Sequence, residues 1–138
     1  MEFISAEEFL KQPEEVQKVL KDWWKPEIGD LYTFSGKDIN NDKQAWAIGS
    51  ELEAEICRKA KGIKIPLLAE GQLRQFIEDK TEGRVGSEYS LNGYTIYLWG
   101  ELTTENDANS IDDYWETERI DLMSSYWDVA CEIAEREE

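Results

Sequence analysis

Apolar positions recur along this chain at two spacings, and each spacing predicts a different kind of element. Val16, Val19, Leu20, Trp23 and Trp24 lie three and four apart, which places them on one face of a helix over residues 13–24. Pro13 suits its first turn, where an amide hydrogen is not needed, and Pro26 and Gly29 end it. Ahead of it, Ser5-Ala6-Glu7-Glu8 reads as a capping box that opens a short helix over 6–11. Leu73, Phe76 and Ile77 repeat the helical spacing within 70–80, with Glu70 near the positive end and Lys80 near the negative one. Ile120, Met123, Trp127, Ala130 and Ala134, with Leu122, Tyr126, Val129 and Ile133 alongside, predict a helix over 117–135 that is apolar round more than half its girth. Ser50 is placed to cap a further helix over 51–61, on which Leu52, Ile56, Lys59 and Ala60 share a side and which Gly62 stops.

The second spacing is alternation. Leu31–Phe34 and Ala45–Ile48 are short, aromatic and β-branched, so they read as two strands joined by the polar loop Gly36–Lys43. Asn92-Gly93 sits between two alternating runs, Glu88–Leu91 and Tyr94–Trp99, and suits a two-residue turn that needs positive φ at both positions. That turn sets Leu91 opposite Tyr94 and Tyr89 opposite Ile96, so Tyr89, Leu91, Tyr94, Ile96 and Leu98 share the core face. Glu88, Ser90, Thr95, Tyr97 and Trp99 fall on the other face, solvent-facing or partly covered. Ile63–Leu68 reads as an apolar connector. The expected fold is therefore α+β: a small antiparallel sheet holding the hairpin at 88–99 and the strands near 31–34 and 44–48, covered by amphipathic helices including the C-terminal one.

Composition narrows the function more than the fold. With 138 residues, 41% hydrophobic, the chain is expected to form a single acidic α+β domain over 1–138. Its 31 acids against 15 bases give a formal charge of −16, which repels phosphate backbones and anionic lipid surfaces. Nucleic acid and membrane are thus not the expected partners, whereas a basic protein surface is attracted. The segment Met1–Lys11 shows no leader pattern and no apolar run reaches 18 residues, so a cytoplasmic protein of a bacterial host cell is expected.

Chemistry is limited by what is missing. The chain has no histidine, which removes the usual proton shuttle, the common nucleophile–base pairs and the commonest zinc ligand. Cys57, with Arg58, Lys59 and Lys61 nearby, and Cys131 both read as reduced core thiols. Gly83 and Gly86 complete no phosphate-binding fingerprint, and Asp107-Ala108-Asn109 with Glu118 fails as a calcium loop because Ile111 and Asp112 stand at the wrong positions. No catalytic, cofactor-binding or metal-binding residue is expected, and no cofactor.

The residues that packing explains least are aromatic. Trp23-Trp24 reads as a clamp of helix on sheet. Tyr114 and Trp115 stand inside the stretch 101–121, where eight acids face Arg119 alone. Aromatic residues flanked by charge are the usual anchors of protein interfaces, so Tyr114 and Trp115 with Asp112, Asp113, Glu116 and Glu118 form the candidate partner-binding site.

The segments EEVQKVLKDWWKPEIGDLY (Glu14–Tyr32), IPLLAEGQLRQFIEDK (Ile65–Lys80) and SYWDVACEIAE (Ser125–Glu135), in this order, resemble an uncharacterised family of small proteins encoded by phages and prophages of Gram-positive bacteria. The resemblance implies an origin and carries over no catalytic or binding residue. The expected function is that of a non-enzymatic accessory protein acting on a host or phage protein with a basic surface. Its sharpest forms are a mimic of nucleic-acid charge or an inhibitor of host defence. The alternative is a small-ligand or nucleotide-sequestering protein, for which Arg74, Lys80 and Arg84 are the candidate phosphate contacts.

Overall fold

Ser5 accepts a hydrogen bond from the Glu8 amide (3.2 Å) and opens α1, Ala6–Leu10, as its side chain requires. The computed structural model describes residues 2–34, 45–59, 61, 64–100 and 113–136. The polar loop expected at Gly36–Lys43, the helix stop at Gly62, Asp112 and the acids before it lie outside the described residues. Contacts divide the chain into two compact units, Phe3–Leu68 and Ala69–Glu138, each with a sheet of its own. Among the described residues, no helix is long and apolar enough to cross a membrane.

In the first unit, α2 (Glu14–Trp23) buries Val16 and Leu20, and Trp24 at its C-cap turns extended with its ring buried. Trp24 Nε1 donates to Asp30 Oδ2 (3.1 Å), which also accepts the Glu27 amide (3.0 Å). Burial pushes the Asp30 carboxyl above its ordinary pKa against the pull of these two bonds. β1 (Leu31–Phe34) follows the turn at Gly29, whose φ is 94°, and runs between β2 (Trp46–Ala47) and β3 (Lys64–Pro66), antiparallel to both. The strand β3 replaces the connector expected there: Thr33 faces Ile65 and Phe34 faces Lys64. Pro66 has no amide hydrogen to give and is accommodated on the edge of the sheet.

Helix α3 (Glu51–Lys59) is where the sequence reads to 51–61, and Ser50 caps it by accepting the Glu53 amide (3.2 Å). Its buried side is not the expected one. Leu52 and Ile56 are 68% and 54% exposed, whereas Ala54 and Cys57 are 0% and 4% exposed. Two helical stripes compete here, and the stripe of smaller side chains won. Arg58 ties the helix to the Pro26 carbonyl (2.9 Å) while Ala54 and Cys57 face inward. Lys61 donates to the Lys21 and Asp22 carbonyls at the end of α2 (2.7 and 3.2 Å), a cation at the negative end of a helix.

In the second unit, α4 (Glu70–Thr81) buries Leu73, Phe76 and Ile77 as expected. It is followed by β4 (Gly83–Ser90) and β5 (Gly93–Gly100), the hairpin, and then by β6 (Asp113–Glu116) on the far side of β5. The last helix, α5 (Leu122–Arg136), buries eight residues from Ser125 to Ala134 and starts later than its periodicity suggests, because Asp121 Oδ1 accepts the Ser124 amide (2.8 Å). Both helices pack together and on the sheet face that carries Val85, Ile96 and Leu98.

The expectation of one sheet is thus corrected to two sheets of three strands. Ile65 and Trp115 each sit in a segment that reads as connector or acidic coil, yet each supplies the third strand of its own unit. The hairpin register is corrected as well. Ser90 pairs with Gly93 and Tyr89 with Tyr94, so the turn residues are Leu91 and Asn92, and Leu91 is fully exposed rather than on the core face. Of these residues only Gly93 has positive φ, 108°, the pattern of a common-handed turn followed by a left-handed glycine. Serine at the first position and glycine at the fourth suit that turn, and Asn92 donates its amide to Ser90 Oγ (3.4 Å).

Candidate functional site

Strand alternation decides the site. In β6 successive side chains point to opposite faces, so Tyr114 and Trp115, neighbours in sequence, are separated by the sheet. Trp115 pairs with Ile96 and lies on the helix-covered face, half-buried, with the Arg136 guanidinium 5.7 Å from its ring centroid. Asp113 shares that face and sits 3.6 Å from Arg136. Tyr114, 58% exposed, and Glu116 point the other way. Of the six residues read as a partner site, Tyr114 and Glu116 therefore share one face, Trp115 and Asp113 share the other, and Asp112 is outside the described residues.

The outer face gathers what the hairpin reading placed there. Tyr97 faces Gly86 on one side and Tyr114 on the other, and Thr95 faces Glu88 and Glu116. Trp99 lies over Gly86, where an added Cβ would stand 2.7 Å from the indole, so glycine makes room for the ring. The Tyr97 and Trp99 rings are 6.0 Å apart and tilted by 38°. Tyr97 donates its hydroxyl to Glu88 Oε2 (3.1 Å), and this bond, then desolvation, then the nearby charges of Glu88 and Glu116, raise its pKa above the ordinary phenol value. Among the described residues, Arg84, opposite Trp99, is the one base on this face.

At the hairpin end the face dips into a polar notch of about 100 Å³ lined by Ser90, Asn92, Thr95, Glu116 and Glu118. Its wall is the corner Thr117–Arg119, in which Glu118 takes φ 58°. The corner is held from several sides. Tyr94 donates its amide to the Arg119 carbonyl (2.9 Å), Thr117 donates its amide to Tyr94 (3.1 Å), and Thr117 Oγ1 lies 2.9 Å from buried Ser125 Oγ. Arg119 in turn pairs with Asp128 at 2.8 Å. Among the described residues, Glu116 and Glu118 have no ion-pair partner.

The other candidates are placed elsewhere. Cys57 and Cys131 are buried. Arg74 lies with its guanidinium 5.8 Å from the Tyr126 ring, and Lys80 is in the last turn of α4. Among the described residues, no group of three or more acids or cysteines is placed to hold a metal ion. Tyr97, Trp99 and Glu88 were legible as one face from alternation, but joining them to Tyr114 and Glu116 needed β6, whose Asp-Tyr-Trp-Glu pattern is the only local signal of a strand. Comparison with protein-family models, with curated proteins and with solved structures finds no match for this chain.

Proposed function

We propose that this chain is a non-enzymatic binding protein, of the accessory kind that a resemblance to small phage proteins implies. It docks a basic surface of a host or phage protein on the outer face of its second sheet. The observation that carries this reading is the arrangement of exposed Tyr114 with half-buried Tyr97 and Trp99 on one strand face, rimmed by Glu88, Glu116 and Glu118. Attraction by a charge of −16 raises the encounter rate, but beyond about 8 Å it is screened at physiological salt. Affinity then comes from contact, in which Tyr and Trp are the residues that most often cost 2 kcal/mol or more on truncation. A partner that itself grips nucleic acid is the sharpest form of the proposal, with the acids standing in for phosphates.

The test is affinity capture from host lysate at low and high salt with the wild type and Tyr114→Ala. A basic partner whose capture weakens with salt and with Tyr114→Ala supports the reading, and its release by competing duplex DNA supports the charge-mimic form. Equal capture by both proteins removes the site. Trp115→Ala is the wrong probe, since that ring faces the helices.

A further inference from the structure

The second unit already holds one guanidinium, on the inner face of β6. Arg136 lies over Trp115 at 5.7 Å and reaches Asp113 at 3.6 Å and Glu132 at 3.7 Å. Ring and carboxylate come from positions two apart in the strand, so they stand side by side on one face. The outer face repeats the pair at the same spacing, with Tyr114 and Glu116 two apart, and places Tyr97 directly across from Tyr114 with Glu88 on its hydroxyl. No lysine or arginine among the described residues lies over Tyr97 or Tyr114.

Resting on the docking reading above, we infer that the outer face recognises arginine side chains of its partner, each guanidinium lying over Tyr97 or Tyr114 and donating to Glu88 or Glu116. Charge complementarity favours a cation here, because Glu88, Glu116 and Glu118 outnumber Arg84 on this face. The rings choose among cations. A guanidinium is planar and weakly hydrated, so it stacks on a ring while its edge donors reach carboxylates at the side. An ammonium is compact and strongly hydrated, offers no plane to stack, and loses more on leaving water. The raised pKa of Tyr97 agrees, since its largest cause is the hydrogen bond to Glu88, followed by desolvation and then by the charges of Glu88 and Glu116.

The experiment titrates the full chain with blocked hexa-arginine and hexa-lysine peptides by calorimetry at fixed salt, using the wild type, Tyr114→Ala and Tyr114→Phe. Tyr114 is exposed, so both variants are expected to fold, which circular dichroism checks. The expected result is about tenfold tighter binding of hexa-arginine than of hexa-lysine. Tyr114→Phe keeps that preference, and Tyr114→Ala removes most of it while leaving hexa-lysine binding nearly unchanged. Equal affinity for the two peptides, both weakened alike by Tyr114→Ala, overturns the arginine inference and leaves the docking face standing. A preference that survives Tyr114→Ala overturns it too, since the rings are then not the reader. Absence of binding by either peptide overturns both.

Discussion

Gly93→Ala tests the joint between the hairpin and the corner that follows β6. Gly93 has φ 108°, a region where an L side chain is strained by about 1–3 kcal/mol. An added Cβ would stand 2.6 Å from the Arg119 carbonyl oxygen, 2.8 Å from the Glu118 carbonyl carbon and 2.9 Å from the Arg119 nitrogen. All three are backbone atoms, so relief requires the corner to withdraw. Withdrawal stretches the bonds from the Tyr94 amide to Arg119 and from the Thr117 amide to Tyr94, each worth about 1 kcal/mol net. The sum is about 3–5 kcal/mol, a large part of the 5–15 kcal/mol that holds an ordinary domain. Urea unfolding followed by circular dichroism measures the loss, and hydrogen exchange at the Tyr94 and Thr117 amides locates it. A loss under about 1 kcal/mol with unchanged exchange at these amides would refute the reasoning. Gly71→Ala is the control: nothing lies within 4 Å of a Cβ added at exposed Gly71 in the first turn of α4, and stability is expected to rise by up to about 1 kcal/mol.

Trp115→Ala is expected to cost about 2–3 kcal/mol and Tyr114→Ala less than about 1, read as urea midpoints; equal losses would contradict the alternation in β6. Trp24→Phe keeps the buried ring but loses the bond to Asp30, for an expected cost of about 1–2 kcal/mol by thermal or urea unfolding. Burial raises the Asp30 pKa, so the folded protein binds this proton more tightly than the unfolded chain, and the contribution of Asp30 to stability falls as pH rises from 3.8 through the raised value. Asp30→Asn is expected to remove that part of the slope in urea midpoints over the acid range; an unaltered slope assigns it to other groups. Leu52→Lys on the exposed side of α3 is expected to change stability by less than about 0.5 kcal/mol, and a loss above 2 would show that this side is buried.

What the sequence alone determined was local. Helical spacing placed Val16 and Leu20, Leu73 and Phe76, and Val129 and Ile133 in buried positions, because a stripe at three and four apart has only one way to leave water. Alternation placed Glu88, Tyr97 and Trp99 on one face for the same reason. Tertiary structure decided whatever depended on choosing between equal local options. Leu52 and Ala54 both head helical stripes on α3, and packing in the folded unit buried the second, with Arg58 bonded to the Pro26 carbonyl. Asn92-Gly93 permits two registers, and the backbone of Glu118 and Arg119 against Gly93 accompanies the one in which Leu91 is left in water. Tyr114-Trp115 in an acidic run names no face until β6 pairs with β5, and that pairing, between residues about twenty apart, separates the two rings and makes the outer face with Tyr97. A pairing partner is a property of distant chain, so short-range pattern marks which residues can line a face but leaves open which strands will share it.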